Sequence, residues 1–374
     1  MAELLALSFL LDPDHPAYQV RPGQGYDGVV RLTINGTRTC TGALLTSGRH
    51  ILTAAQCFET QTPGPPTLQP NPNSVQITFE LPRGLVGRTA AAIHVHPQWD
   101  NSIHHNANLA IIELAQAAPA EADRYPIYRG QDELSEINQV FTRVGYGLPG
   151  DGASGADPNG SHQRRIGGNR YDAFGDLLER PPQGFQADAT LGNITAQTQL
   201  LYDFDAFTRT RDALGQEYGL HDLGVLRQII GFSAAERGVP PLIERELPPN
   251  PQRFEAIPIS PQPRSANPAH PFIIPWESGA TKGDEGSPAF IDGRIAGITS
   301  HGVAPRTPGI NMSEGINGSV GEYFLDTRVS AYADFIDQIL QQTSPIPDQS
   351  GMIFGLIIGT VALLRIFQRF NQRL

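Results

Sequence analysis

Concentrated positive charge is what this sequence most clearly lacks. Its 27 Lys and Arg residues stand against 38 Asp and Glu, giving a formal net charge of -11, and no Lys/Arg cluster occurs outside the C-terminal tail. A general nucleic-acid binder is thereby excluded, because holding phosphates requires a basic surface. No internal repeat is present. Cysteine is almost missing, with only Cys40 and Cys57. By themselves, two cysteines are most often small buried hydrophobes. Hydrophobic residues make up 39% of the chain, enough for a packed core. What the chain has in quantity is glycine (39) and proline (32), which calls for many turns and few long helices. A length of 374 residues allows one large all-β unit or two domains.

From Gly28 the pattern is short apolar runs separated by turn residues. Val29 to Ile34 leads into Asn35-Gly36, a hairpin signal, and Gly42 to Leu45 and Ile51 to Ala55 follow. Val75 to Phe79 and Ala91 to His96 alternate as half-buried strands. Many short strands with turn signals indicate a barrel or a sandwich. Residues 148–279 are too long for a single connection. Within them Tyr202 to Asp205 and Leu226 to Phe232 read as candidate strands, and the proline-rich stretch Pro248 to Pro275 as an extended surface excursion.

Three segments share a family likeness. Gly283-Asp284-Glu285-Gly286-Ser287-Pro288 resembles the Gly-Asp-Ser-Gly-Gly-Pro nucleophile loop of the trypsin/chymotrypsin-like serine proteases, with Glu285 in place of the serine. Leu52-Thr53-Ala54-Ala55-Gln56-Cys57 resembles the family's Thr-Ala-Ala-His-Cys, with Gln56 for the histidine. Asn108-Leu109-Ala110-Ile111-Ile112-Glu113-Leu114 resembles the Asp-[Ile/Leu]-Ala-Leu-Leu-x-Leu segment, with Asn108 for the aspartate. Gln139 to Gly147 resembles the strand leading to Gly-Trp-Gly. Ser300-His301-Gly302 resembles the substrate-pairing Ser-Trp-Gly, and Asp326 to Ile336 the terminal strand and helix. The likeness covers roughly residues 28–147 and 280–340.

The resemblance implies an all-β fold of two antiparallel Greek-key β-barrels, with a long insertion in the second barrel at about 148–279, a C-terminal helix and a short C-terminal membrane segment. The expected organisation is a leader or extension (1–27), the protease-type domain (28–340), a linker (341–350) and a transmembrane or sorting segment (351–374). The resemblance also implies a disulfide between Cys40 and Cys57, hence an oxidising compartment.

In the family a histidine takes the proton of a serine, an aspartate fixes that histidine, and the serine attacks a carbonyl. Gln56 has no titratable nitrogen, Asn108 carries no charge, and a Glu285 carboxylate attacking an amide would give an unstable anhydride. Together these changes remove the mechanism. The oxyanion hole would be formed by the amides of Gly283 and Glu285. Asp284, which in the family pairs with a new N-terminus after activation cleavage, must find another partner or solvent. Gly279 stands near the specificity position, where no acid is present. Gly279, Ser300, His301 and Gly302 are the candidate substrate-binding residues. The Glu285 carboxylate is expected either to fold into its own oxyanion hole, with Gln56 donating to it and Asn108 behind Gln56, or to point to solvent.

Other signals carry less. Of the ten histidines, His94 and His96 could share a metal, and His104 and His105 sit on the loop before Asn108. Asp151 and Asp157 could form a calcium loop or a plain polar loop. No metal and no cofactor is expected. Asn35, Asn159, Asn193, Asn311 and Asn317 start Asn-x-Ser/Thr sites, which matter only in a glycosylating host.

Both chain ends bear on location. Gly351 to Leu364 is apolar and is followed by Arg365, Arg369 and Arg373. Its uncharged part spans about 20 Å of a ~30 Å hydrocarbon core. Snorkelling of Arg365 can complete the span, leaving the basic end cytoplasmic and the body outside. The alternative is an amphipathic helix packed on the body. The tail is also similar to the PEP-CTERM sorting signal, with Pro345-Ile346-Pro347 as a box that lacks its Glu. Leu4 to Leu11 is an apolar run without a basic start, consistent with a remnant of an export signal. The sequence thus describes a protease homologue without catalytic residues, exported and membrane-anchored, that binds a peptide or protein. The alternatives are an active serine endopeptidase of the family and a structural surface protein.

Overall fold

The computed structural model describes residues 5–9, 18–60, 67–102, 107–130, 132–185, 194–205, 211–220 and 278–342. The chain forms two compact units, Met1–Phe335 and Ile336–Leu374. The expectations for Leu226 to Phe232, Pro248 to Pro275, His104, His105, Asn193, the linker beyond residue 342 and the tail at 351–374 lie outside the described residues.

Strand β1 (Leu5–Phe9) precedes six strands that close into a barrel: β2 (Val29–Ile34), β3 (Arg38–Leu44), β4 (His50–Thr53), β5 (Val75–Leu81), β6 (Gly84–Val95) and β7 (Ala110–Leu114). Their order around the barrel is β2-β3-β4-β7-β6-β5. The β2–β3 turn is the Asn35-Gly36 signal. Both residues have positive φ (52° and 73°), the two-residue geometry whose twist matches that of paired strands. On β5 Val75, Ile77, Phe79 and Leu81 are buried at period two, as a half-buried strand requires.

Cys40 on β3 and Cys57 on the short 3-10 turn Ala55–Phe58 form a disulfide with a Cα–Cα distance of 6.3 Å and a sequence separation of 17. It ties the turn carrying Gln56 to the barrel wall. Replacing both cysteines by alanine should cost about 3 kcal/mol by the loop-entropy relation. Urea unfolding measures this, and an unchanged midpoint would refute it.

The second half of the unit is a curled half-barrel. Its strands are β8 (Val140–Gly145), β9 (Gly150–Asp151), β10 (Gly155–Ala156), β11 (Arg165–Arg170), β12 (Ala173–Phe174), β13 (Gln199–Asp203), β14 (Ser278–Thr281), β15 (Pro288–Ile291), β16 (Arg294–Val303) and β17 (Tyr323–Arg328). Seven of them form one sheet in the order β11-β8-β15-β16-β17-β13-β12. A second sheet runs β10-β9-β1-β14. The core here is aromatic, with Phe141, Tyr171, Tyr202, Phe204 and Phe324 in one cluster. The short helix α1 (Ala213–Tyr218) packs on β13, and α2 (Ala333–Gln342) follows β17. Among the described residues no helix is long and apolar enough to cross a membrane.

Two features add to the sequence reading. The stretch 148–279, too long for a single connection, holds β9 to β13 and α1, and β13 includes the expected Tyr202. Near the N-terminus, part of the apolar run forms a strand. Residues Leu5–Phe9 pair antiparallel with β14 and parallel with β9. An apolar segment beside two open strand edges satisfies its own backbone groups and theirs by joining them.

Candidate functional site

The three segments that carried the family likeness meet where the barrel faces the half-barrel. Gln56 sits on the 3-10 turn after β4, Asn108 enters β7, and Glu285 lies on the turn between β14 and β15. All three are buried, at 6%, 1% and 1% exposure. Gly286 draws the last turn close. It has φ +84°, and a Cβ there would lie 2.1 Å from Thr53 Oγ1 and 2.3 Å from the Thr41 carbonyl. The amide of Thr41 donates to the Glu285 carbonyl at 2.9 Å. That carbonyl also lies 3.7 Å from Cys57 Sγ, so Glu285 abuts the turn that bears Gln56.

Asn108 is the hub. Its Oδ1 accepts from the Gln56 backbone amide at 3.0 Å. Its Nδ2 donates to Gln56 Oε1 at 2.9 Å and to Ser300 Oγ at 2.8 Å. The Gln56 side-chain amide donates to the Ser300 carbonyl at 2.8 Å. Ser300 Oγ lies 3.1 Å from His301 Nδ1. Every side-chain polar atom of Gln56 and Asn108 is thus engaged within a small buried network. Thr327 on β17 fixes the Asn108 carbonyl from behind, at 3.1 Å.

Glu285 is separate from this network. Its Oε2 accepts from the Gly283 amide at 2.8 Å, and its Oε1 has no hydrogen-bond partner among the described residues. The carboxylate therefore folds back onto its own turn, away from solvent. The expected Gln56-to-Glu285 bond is not formed. The Gln56 amide is spent on the Ser300 carbonyl, while the Gly283 amide already holds the carboxylate at charge-assisted distance.

The expected substrate-binding residues are enclosed. Ser300 and His301 are 1% and 2% exposed, and Gly302 is buried. Gly279 is buried against two rings, because a Cβ there would lie 2.9 Å from Phe324 and 3.0 Å from Phe204. Aromatic core occupies the space beside the specificity position. An open cavity of about 160 Å³ lies instead at the end of β16, lined by Val303, Tyr218, Glu217 and Tyr323 among others.

Asp284 is fully buried. Its Oδ1 accepts from the Gly147 amide at 3.1 Å and from Ser287 Oγ at 3.2 Å. Burial pushes its carboxyl up to about 7, with the Arg143 charge as the main opposing influence. His162 is a neighbour that sequence reasoning missed. Its Nδ1 lies 3.0 Å from where a Gly283 Cβ would stand, and it donates to the Tyr146 carbonyl at 2.8 Å. Burial lowers its pKa, partly offset by that bond. Ser300 Oγ was legible as part of Ser-His-Gly, but nothing near His162 marked it out.

The weaker metal readings do not converge. His94 Nε2 lies 3.9 Å from Glu113, whereas His96 packs against the rings of Tyr332 and Phe335. Asp151 and Asp157 accept from amides two or three residues on, as polar turns do. Among the described residues, only Asp203, Asp205 and Asp212 bring three such ligand atoms together. Asp203 and Asp212 there accept from the Leu214 and Gly215 amides at the start of α1.

Residues 18–165 match the family model described as Trypsin. No curated protein matches this sequence. Among solved structures, a mutant of human heparin binding protein is similar at 14% identity and a TM-score of 0.48, over 88% of this chain and 98% of that one. Neuropsin, a serine protease of mouse brain, is similar at 14% identity and a TM-score of 0.48, over 86% and 98%.

Proposed function

We propose that the protein, whose residues 18–165 match the family model described as Trypsin, is a non-catalytic member of that family, exported and held at a membrane, that binds a peptide or protein. One observation carries this reading: the chain's own side chains occupy the positions that a substrate and its oxyanion would need. Glu285 Oε2 takes the Gly283 amide, and the Gln56 amide takes the carbonyl of Ser300. A carboxylate seated on an oxyanion-hole amide opposes the developing negative charge that the amide would otherwise stabilise. Gln56 and Asn108, bonded to each other, leave no base to activate a nucleophile.

The full chain should show no turnover of peptide or ester substrates and no labelling by serine-directed phosphonates. Turnover above the buffer control that survives Glu285→Ala would sink the inactivity and favour the active endopeptidase. The export reading rests on the Cys40–Cys57 disulfide, which suits an oxidising compartment, and on the apolar tail with its terminal arginines. Deleting residues 345–374 should move the protein from the membrane to the soluble fraction. Full-length protein already soluble without detergent would overturn the anchor. Pull-down with the disulfide-intact body tests the ligand, and a body that retains nothing would favour the structural reading.

A further inference from the structure

The pair Asn-Gly occurs three times in the chain, at 35–36, 159–160 and 317–318. Glycine carries no Cβ to shield its backbone nitrogen, so that nitrogen can reach the side-chain amide of the asparagine before it. We propose that Asn35 is a site of spontaneous covalent modification, in which the Gly36 amide attacks its side chain and ammonia is lost, and that the fold withholds Asn159 and Asn317 from the same reaction. Asn35 and Gly36 form the exposed tip of the β2–β3 hairpin. The Thr37 amide closes that turn on the Ile34 carbonyl at 3.2 Å, and the Asn35 amide donates to the Ser74 carbonyl at 2.9 Å. Neither bond uses a reacting group. Among the described residues, the Gly36 amide and the Asn35 side chain have no hydrogen-bond partner. A Cβ built at Gly36 would meet nothing within 4 Å, so solvent reaches both groups.

The other two pairs differ in what their glycine amides do. The Gly160 amide donates to the Asp157 carbonyl at 3.0 Å, and the Asn159 amide to Asp157 Oδ1 at 2.9 Å. A Cβ at Gly160 would lie 2.3 Å from Pro149 Cγ, so the proline ring covers that glycine. At the third pair the Gly318 amide donates to Glu322 Oε2 at 2.9 Å. Asn317 Nδ2 donates to Ser313 Oγ at 2.7 Å, and its Oδ1 accepts from the Ser319 amide at 3.1 Å. Glu322 is fully buried, so this nitrogen must break a charge-assisted bond before it can attack.

In the reaction a bond forms between the Gly36 nitrogen and Asn35 Cγ, and the Cγ–Nδ2 bond breaks. Nδ2 leaves as ammonia with the proton that the Gly36 nitrogen gives up. Water then opens the resulting succinimide at either carbonyl, and a carboxylate replaces the amide. One opening restores the main chain as aspartate. The other routes it through the side chain as isoaspartate, which adds one carbon to the backbone. A two-residue turn depends on its length, so the longer linkage disturbs the Ile34–Arg38 pairing directly behind it. Arg38 Nη1 donates to the Gln56 carbonyl at 2.8 Å, which carries the disturbance from the tip to the turn that bears Gln56.

The test is incubation of the full chain at pH 8, folded and, in parallel, reduced and unfolded in urea. Peptide mapping by mass spectrometry follows the gain of one mass unit at each asparagine. In the folded chain Asn35 should convert at least tenfold faster than Asn159 and Asn317, and any smaller margin overturns the proposal. In the unfolded chain the three rates should converge to within about threefold. A margin that persists there would mean that local sequence, not the fold, sets it, and the structural assignment fails. Asn35→Asp keeps the turn-forming pair and carries the product's charge on an unlengthened chain. The isoaspartyl fraction of the wild type should unfold at lower urea than freshly prepared Asn35→Asp. Equal midpoints would overturn the link from the tip to the Gln56 turn.

Discussion

Replacing Asn108 by alanine should destabilise the fold by about 3–5 kcal/mol, the range seen when a buried hydrogen-bond hub is removed. The side chain is 1% exposed and serves three partners: the Gln56 amide, Gln56 Oε1 and Ser300 Oγ. Truncation leaves a buried backbone N–H and a buried carbonyl oxygen without partners, and each unpaired group costs its full desolvation. Asn108→Leu should do no better, because it fills the space but satisfies neither group. Chemical denaturation gives the number. A loss below about 1 kcal/mol would mean that Gln56 re-pairs locally and that the network is not rigid.

The second large effect is a stability that falls as pH rises. Burial raises Asp284 and Asp172 from an ordinary value near 3.8 to about 7, with Arg143 opposing at the first and Arg170 at the second. A carboxyl raised in the folded state binds more protons there than when unfolded. Its favourable contribution is complete below about pH 4 and is lost as pH climbs to about 7. His50, His96 and His162 pull the other way. Burial lowers their pKa, so they weaken the fold as pH drops below the ordinary histidine value. The raw profile therefore mixes both signs. Comparing wild type with Asp284→Asn isolates one carboxyl. Between pH 5 and pH 8 the variant should gain on the order of 2 kcal/mol relative to wild type. A difference that does not change with pH would show that Asp284 stays ionised throughout.

Local patterns carried part of this structure into the sequence. Asn35-Gly36 declared its hairpin because few residues accept two consecutive positive φ angles. The family likeness joined Cys40 to Cys57 and placed Gln56 beside Asn108, and both contacts are present. The folding back of Glu285 was one of two outcomes that the sequence left open, the other being a carboxylate in solvent. The bond from Gln56 to the Ser300 carbonyl was not foreseen. It spans 244 positions, and its acceptor is a backbone atom that looks the same at every residue. Arg143 was hidden for a related reason. In Val140-Phe141-Thr142-Arg143-Val144 it reads as the solvent face of a strand. Only Asp326, 183 positions away, explains why it faces inward with Phe141. Within 148–279, β9, β10 and β12 were obscured by their length, because two-residue strands leave no period to detect.

The pairing of β1 with β14 also bears on synthesis. Leu5–Phe9 are made before their antiparallel partner Ser278–Thr281, which follows some 270 positions later. The six barrel strands, all contained within residues 29–114, close on short connections and can form while translation continues. During that interval the only one of its two strand partners that Leu5–Phe9 can meet is β9, at Gly150–Asp151. An early-made strand completes its pairing only with a late-made one. Any step that captures it early keeps the half-barrel open until the β14 residues arrive.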